Sequence, residues 1–149
     1  MVPRKNRTEC DFFVVKLETT IEIIMLQLTT VIFLISLSLL AVLHVISLKL
    51  FLYWRFWWLD IPMHLFGGAI VALGVYTLYD LRLFVPKRYL QLLPLLLIVF
   101  AVSLSWEVYE LFIGIPIEDS FVPDTITDLS MGLIGGAIGY SIGKSLRKL

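Results

Sequence analysis

Four apolar stretches alternate with short polar segments along the chain. Residues 23–47 are almost uninterrupted Ile, Leu, Val, Phe and Met, with no Asp, Glu, Lys or Arg. Further apolar stretches cover about 61–79, 90–113 and 126–143, the last one shorter and rich in glycine. A hydrocarbon core about 30 Å thick is crossed by about 20 apolar residues in a helix, and all four stretches lie at or near that length. A soluble helix shows one apolar stripe with polar residues opposite, whereas residues 92–104 are apolar all round apart from Ser103. The pattern predicts an all-α polytopic membrane protein: a four-transmembrane-helix bundle forming one domain over residues 1–149. Residues 1–20 read as a mixed-charge lead-in, and 11–28 either continue the first helix inward or lie along the interface. A cleaved signal peptide would have a core of about 7–15 apolar residues ending at small ones. The first run is longer and lacks such an end, so it reads as a retained helix.

Composition narrows the picture further. The chain is 59% hydrophobic, and 12 Lys and Arg balance 12 Asp and Glu. So much apolar surface argues against disorder, and the absence of a basic excess argues against nucleic acid as a partner. A single cysteine, Cys10, excludes an internal disulfide framework and a Cys-based zinc site.

The charges are sorted along the chain. With four spans, ten basic and five acidic residues share the side of both termini and the second loop. Two basic and seven acidic residues share the other, so +5 faces −5. Lys and Arg collect on the cytoplasmic side. Both termini are therefore expected in the cytoplasm, in a multi-pass protein of the inner cell membrane with lipids as its surroundings. Tyr53, Trp54, Phe56, Trp57 and Trp58 form an aromatic belt at the outer boundary.

The acids of the outer side gather at helix ends. Asp60 and His64 open the second helix, Glu107 and Glu110 lie near the end of the third, and Asp124 and Asp128 open the fourth. Spacings of three and four residues place each pair on one helix face. The alternating topology then brings the three pairs to similar depth, where His44 can join them. Asp60 has an ordinary alternative as the cap of its helix, and Asp124 or Thr125 as the cap of the fourth. Capping does not account for Glu107 or Glu110, which sit where the helix dipole disfavours negative charge. A carboxylate inside a span needs a partner, and no Lys or Arg lies in the third or fourth span.

A divalent metal held by Asp60, His64, Glu107, Glu110, Asp124 and Asp128 is one solution. This oxygen-rich set suits Mg, Mn or Ca, with Zn also compatible. Glu107 and Glu110 sharing a proton is the other solution. Glycines carry a different message. Gly132, Gly135, Gly136, Gly139 and Gly143 form overlapping G-x-x-x-G spacings, which let helices approach closely in lipid. They predict contact between the second and fourth helices, and offer a face for a homo-oligomer.

Asp60-x3-His64 followed by Gly67-Gly68, Glu107-x2-Glu110, Asp124-Thr125-x2-Asp128 and the later glycines resemble the VanZ-like group of small bacterial membrane proteins. They resemble more closely the YjdF-type family of uncharacterised inner-membrane proteins. The resemblance spans about 57–143. VanZ-like proteins commonly carry Gln where this chain has Glu110, and Asn where it offers Asp128 or Ser130. Those departures favour the YjdF-type comparison over VanZ itself, which is associated with teicoplanin resistance. The resemblance implies a fold and a site without an established activity.

Three functions fit the residues. The first acts on a lipid headgroup or lipid-linked phosphate at a metal, with Glu107 or His64 as general base. The second is a non-catalytic structural or partner-binding subunit. The third is a proton-coupled transporter in which Glu107 and Glu110 titrate.

Overall fold

A computed structural model describes residues 4–83, 85–114 and 121–147, with side chains at 12, 14, 16, 20, 28–83, 85–114 and 123–147. Glu118, Asp119 and Lys148, which entered the charge reading above, lie outside these residues. The described chain is helical: α1 (Arg4–Lys49), α2 (Leu52–Arg55), α3 (Asp60–Asp80), α4 (Leu92–Ile113) and α5 (Phe121–Leu146), with single 3-10 turns at Trp57–Leu59 and Lys87–Leu90.

α1 is one helix of 46 residues, so the lead-in and the first apolar stretch are continuous. The reason is local, since residues 4–49 contain neither Gly nor Pro, the two residues that break helices. At 1.5 Å per residue it is about 69 Å long, more than twice the hydrocarbon thickness. It ends at Phe51, whose φ of 53° is left-handed, a conformation costing a non-glycine residue about 1–2 kcal/mol. That turn folds α2 back onto the last turns of α1. At the other end of the bundle's third long helix, Gly114 closes α4 with φ 71° and an N–H bond to the Glu110 carbonyl at 3.0 Å.

Among the described residues three helices are long and apolar enough to cross a membrane, at Leu28–Lys49, Trp57–Asp80 and Leu92–Ile113. Their exterior is apolar. Leu34, Ile35, Leu93, Leu97 and Phe112 are exposed, as lipid-facing positions are and water-facing ones rarely are in such numbers. α3 is the central helix and contributes Ala72, Val75 and Tyr76 to the buried core, against Leu95 and Val99 of α4.

α3 and α5 run parallel and nearly touch along their backbones. A Cβ at Gly68 would collide with the Gly132 carbonyl, one at Gly135 with Leu65, and one at Gly139 with Ala69. The contact expected between the second and fourth apolar stretches is therefore present. The same glycines are covered within one chain by α3 and α4. α4 runs antiparallel to α5, with Ser103 beside Gly132 and Val99 beside Gly136. At the far end Asp80 of α3 is ion-paired with Arg147, just past α5, whose guanidinium also lies 4.7 Å from the Tyr79 ring centre.

The capping alternatives fail. Asp60 is the first residue of α3, the flanking Leu59 makes no side-chain cap bond, and its φ of −66° is already helical. The preceding 3-10 turn runs directly into α3, so no separate cap is needed. α5 begins at Phe121, which puts Asp124 and Thr125 inside the helix.

Candidate metal centre

A repeated one-turn offset builds the site. Gly68, Gly132 and Ser103 form a close-packed layer where α3, α5 and α4 meet. Four residues away on each helix stand His64, Asp128 and Glu107, so the layer above it holds one imidazole and two carboxylates. Only residues without bulk in the lower layer allow the three backbones to come this close. The tight glycine contact is what turns a helix–helix seam into a polar site.

His64 is the hub. Its Nε2 lies 3.7 Å from Asp60 Oδ1, 3.6 Å from Glu107 Oε1 and 3.6 Å from Glu110 Oε2. These are too long for hydrogen bonds, which for N–H···O close at about 2.7–3.2 Å. His64 Nε2, Asp60 Oδ1 and Glu107 Oε1 are all buried without a hydrogen-bond partner. His64 is 5% exposed, Glu107 and Glu110 7%, and Asp128 2%. Among the described residues two groups have ligand atoms all within 4.8 Å of one another: Asp60, His64 and Asp128, and His64, Glu107 and Glu110.

Five of the six expected ligands therefore converge. Asp124 is the exception: half-buried in the first turn of α5, it acts electrostatically on Asp60, Glu107 and Asp128 and belongs to neither group. Beside it Thr125 faces Glu107, its hydroxyl buried and unpartnered.

His44 occupies the next shell. Its Nδ1 pairs with Tyr53 Oη at 2.9 Å, and its ring stands edge-on to Trp106 at 5.0 Å between centres. Trp106 in turn donates its Nε1 proton to Glu110 Oε1 at 2.6 Å. One Glu110 oxygen is thus held by the indole while the other faces His64. Trp54, Phe56, Trp57 and Trp58 are exposed, as a belt requires, but Tyr53 is buried and leaves the belt. Burial pushes the Tyr53 phenol above its ordinary range, and the Asp60 and Glu110 carboxylates push it the same way, so it remains a neutral hydroxyl.

Tyr53 and Trp106 were not singled out as site residues by sequence. For Trp106 a signal existed, because it stands four residues before Glu110 on the same face. For Tyr53 none did, since its return to His44 depends on the left-handed turn at Phe51.

Three buried carboxylates and a half-buried one against one imidazole leave a large unbalanced negative charge when ionised. Taking each such group out of water costs several kcal/mol unless it is compensated. Donors around an ion with bonds of about 2.0–2.2 Å stand about 3–3.6 Å apart. The His64–Glu107 and His64–Glu110 separations of 3.6 Å lie at the upper end of that spacing and the His64–Asp60 one of 3.7 Å just beyond it, so the residues present fit a divalent cation.

Residues 12–148 match a family model described as a predicted membrane protein (DUF2238). No curated protein and no solved structure matches the chain.

Proposed function

We propose that this chain, which belongs to the DUF2238 family of predicted membrane proteins, binds a divalent metal ion inside the membrane bundle and presents it to a phosphate-bearing lipid headgroup. The observation that supports this is the set of unpartnered buried atoms, His64 Nε2, Asp60 Oδ1 and Glu107 Oε1, with the two oxygens 3.7 and 3.6 Å from the imidazole nitrogen. His64, Glu107, Glu110, Asp60 and Asp128 are the ligands in this reading. Asp124 conditions the site's charge from the rim.

The donor set of one imidazole and several carboxylates suits Mg, Mn or Ca, and also Zn. When bound, such an ion supplies polarisation of a phosphoryl oxygen. Glu107, whose Oε1 makes no hydrogen bond, is the group we assign to accept a proton, with His64 as the alternative base. Trp106 and, through it, His44 and Tyr53 hold Glu110 in place.

We read α5 as a fourth span. Its 26 residues at 1.5 Å each give about 39 Å, enough to cross, and its glycine face lies against α3. With four spans the basic residues place both termini in the cytoplasm, and the metal centre then faces the outer leaflet of the inner membrane. The motif set itself is the one that resembles YjdF-type proteins.

Metal analysis of the purified protein, after incubation with Mg, Mn, Ca and Zn and removal of free ions, tests the reading. Bound divalent ion is expected in the unmutated protein and a loss of it in Glu107→Gln and Asp128→Asn at unchanged helicity. Metal-free unmutated protein would leave protons as the neutralising species and overturn the proposal.

A further inference from the structure

Resting on the metal-binding reading, we propose that the centre is built for two divalent cations, one on either side of His64, and that the pair receives a phosphate group.

The ligand atoms do not form one shell. They divide into Asp60, His64 and Asp128 on one side and His64, Glu107 and Glu110 on the other, with only His64 common to both. Each side contains its own buried oxygen without a hydrogen-bond partner, Asp60 Oδ1 and Glu107 Oε1. A single site would leave one of these two uncompensated.

Charge gives the same count. His64 must be neutral to coordinate, so Asp60, Asp128, Glu107 and Glu110 together carry a charge of −4 when ionised. One divalent cation leaves −2 in a region where charge is costly; two leave none.

The two positions are unequal. His64 offers a single nitrogen, Nε2, toward the carboxylates, so one ion has an imidazole ligand and the other has oxygen alone. The Glu107 side is the deeper, its three residues all buried. The Asp60 side is more open, since Asp60 is only partly buried, and Asp124 in the first turn of α5 acts electrostatically on both of its carboxylates. His64 Nε2 stands 3.6 Å from both Glu107 and Glu110, so we assign the nitrogen to the deep position, which then favours an ion such as Mn or Zn, and leave the outer one to a hard ion such as Mg. The outer ion, with few protein ligands, keeps coordination positions for added oxygens. Paired cations about 3.5–4 Å apart clamp the oxygens of a phosphoryl group. That identifies the ligand as a phosphate, free or at the end of a lipid.

The test uses the full-length protein, stripped with chelator in detergent and titrated with Mn, bound and free ion being separated by electron paramagnetic resonance. Two Mn per chain in two affinity classes, with a spin-coupled spectrum, are expected. Glu107→Gln and Asp128→Asn should each reduce the count to one and abolish the coupling. One Mn per chain in the unmutated protein overturns the pair while leaving the single-ion function standing; none overturns both. If either variant fails to fold, the unmutated stoichiometry and spectrum decide alone. In the ligand arm, inorganic phosphate should tighten the weaker Mn class at least tenfold if the phosphate is free. Tightening only in phosphatidylcholine nanodiscs containing phosphatidate identifies a lipid phosphate. If neither changes the weaker class, the phosphate assignment is wrong.

Discussion

Adding one methyl group at Gly68 should separate two helices and dismantle the site, whereas the same change at Gly67 should do neither. A Cβ at Gly68 would lie 2.7 Å from the Gly132 carbonyl carbon and closer still to its oxygen, where ordinary contact begins at about 3.4 Å. Backbone has no rotamer with which to yield, so α3 and α5 must part by about 1 Å, and overpacking of this kind costs about 3 kcal/mol. The gain in helix propensity from Gly to Ala offsets about 1 kcal/mol. At Gly67 the new Cβ meets only Leu40 Cδ2 at 3.9 Å, and the propensity gain stands alone. The two variants should differ by about 3 kcal/mol, or about 6–12 °C in melting temperature for a chain of this size. Far-UV circular dichroism during heating in detergent measures that gap. Because the clash lies one turn from His64 and Asp128, Mn affinity should fall in Gly68→Ala and persist in Gly67→Ala. Equal melting temperatures, or a more stable Gly68→Ala, would refute the claim that backbone contact builds the site.

Other consequences are independent of that seam. Trp106→Phe keeps the ring beside His44 but removes the donor to Glu110, and loss of such an orienting partner costs about 10–100-fold in metal affinity; equilibrium dialysis with Mn should show it at unchanged helicity. Arg147→Ala leaves the buried Asp80 carboxylate without its ion-pair partner, a loss of about 3 kcal/mol, and Asp80→Asn in the same chain should recover most of it in thermal unfolding. A reporter fused after Leu149 should give a cytoplasmic signal, and a periplasmic one would reverse the orientation.

Much of the site was visible in the order of residues because it depends on helical spacing. Asp60 with His64 and Glu107 with Glu110 each share a face, and alternating spans carry those faces to one end. The glycines foretold which helices would touch. What spacing does not encode is how those helices meet. Which carboxylates stand on which side of His64 depends on the α3–α5 approach at Gly68 and Gly132, so Asp128 enters the ligand groups while Asp124, one turn away, does not. The capping alternatives at Asp60 and at Asp124 or Thr125 do not hold because the 3-10 turn before α3 and the earlier start of α5 move the helix ends. By sequence Tyr53 reads as a belt residue because its neighbours do, and the turn at Phe51 is what brings it to His44.

Whether His64 and the surrounding carboxylates hold metal is decided by an anomalous-scattering map of Mn-soaked crystals. An anomalous peak is expected within coordination distance of His64 Nε2, flanked by oxygens of Glu107 and Glu110. A map with no peak among these residues, or with Mn only at the bundle surface, would contradict metal binding there.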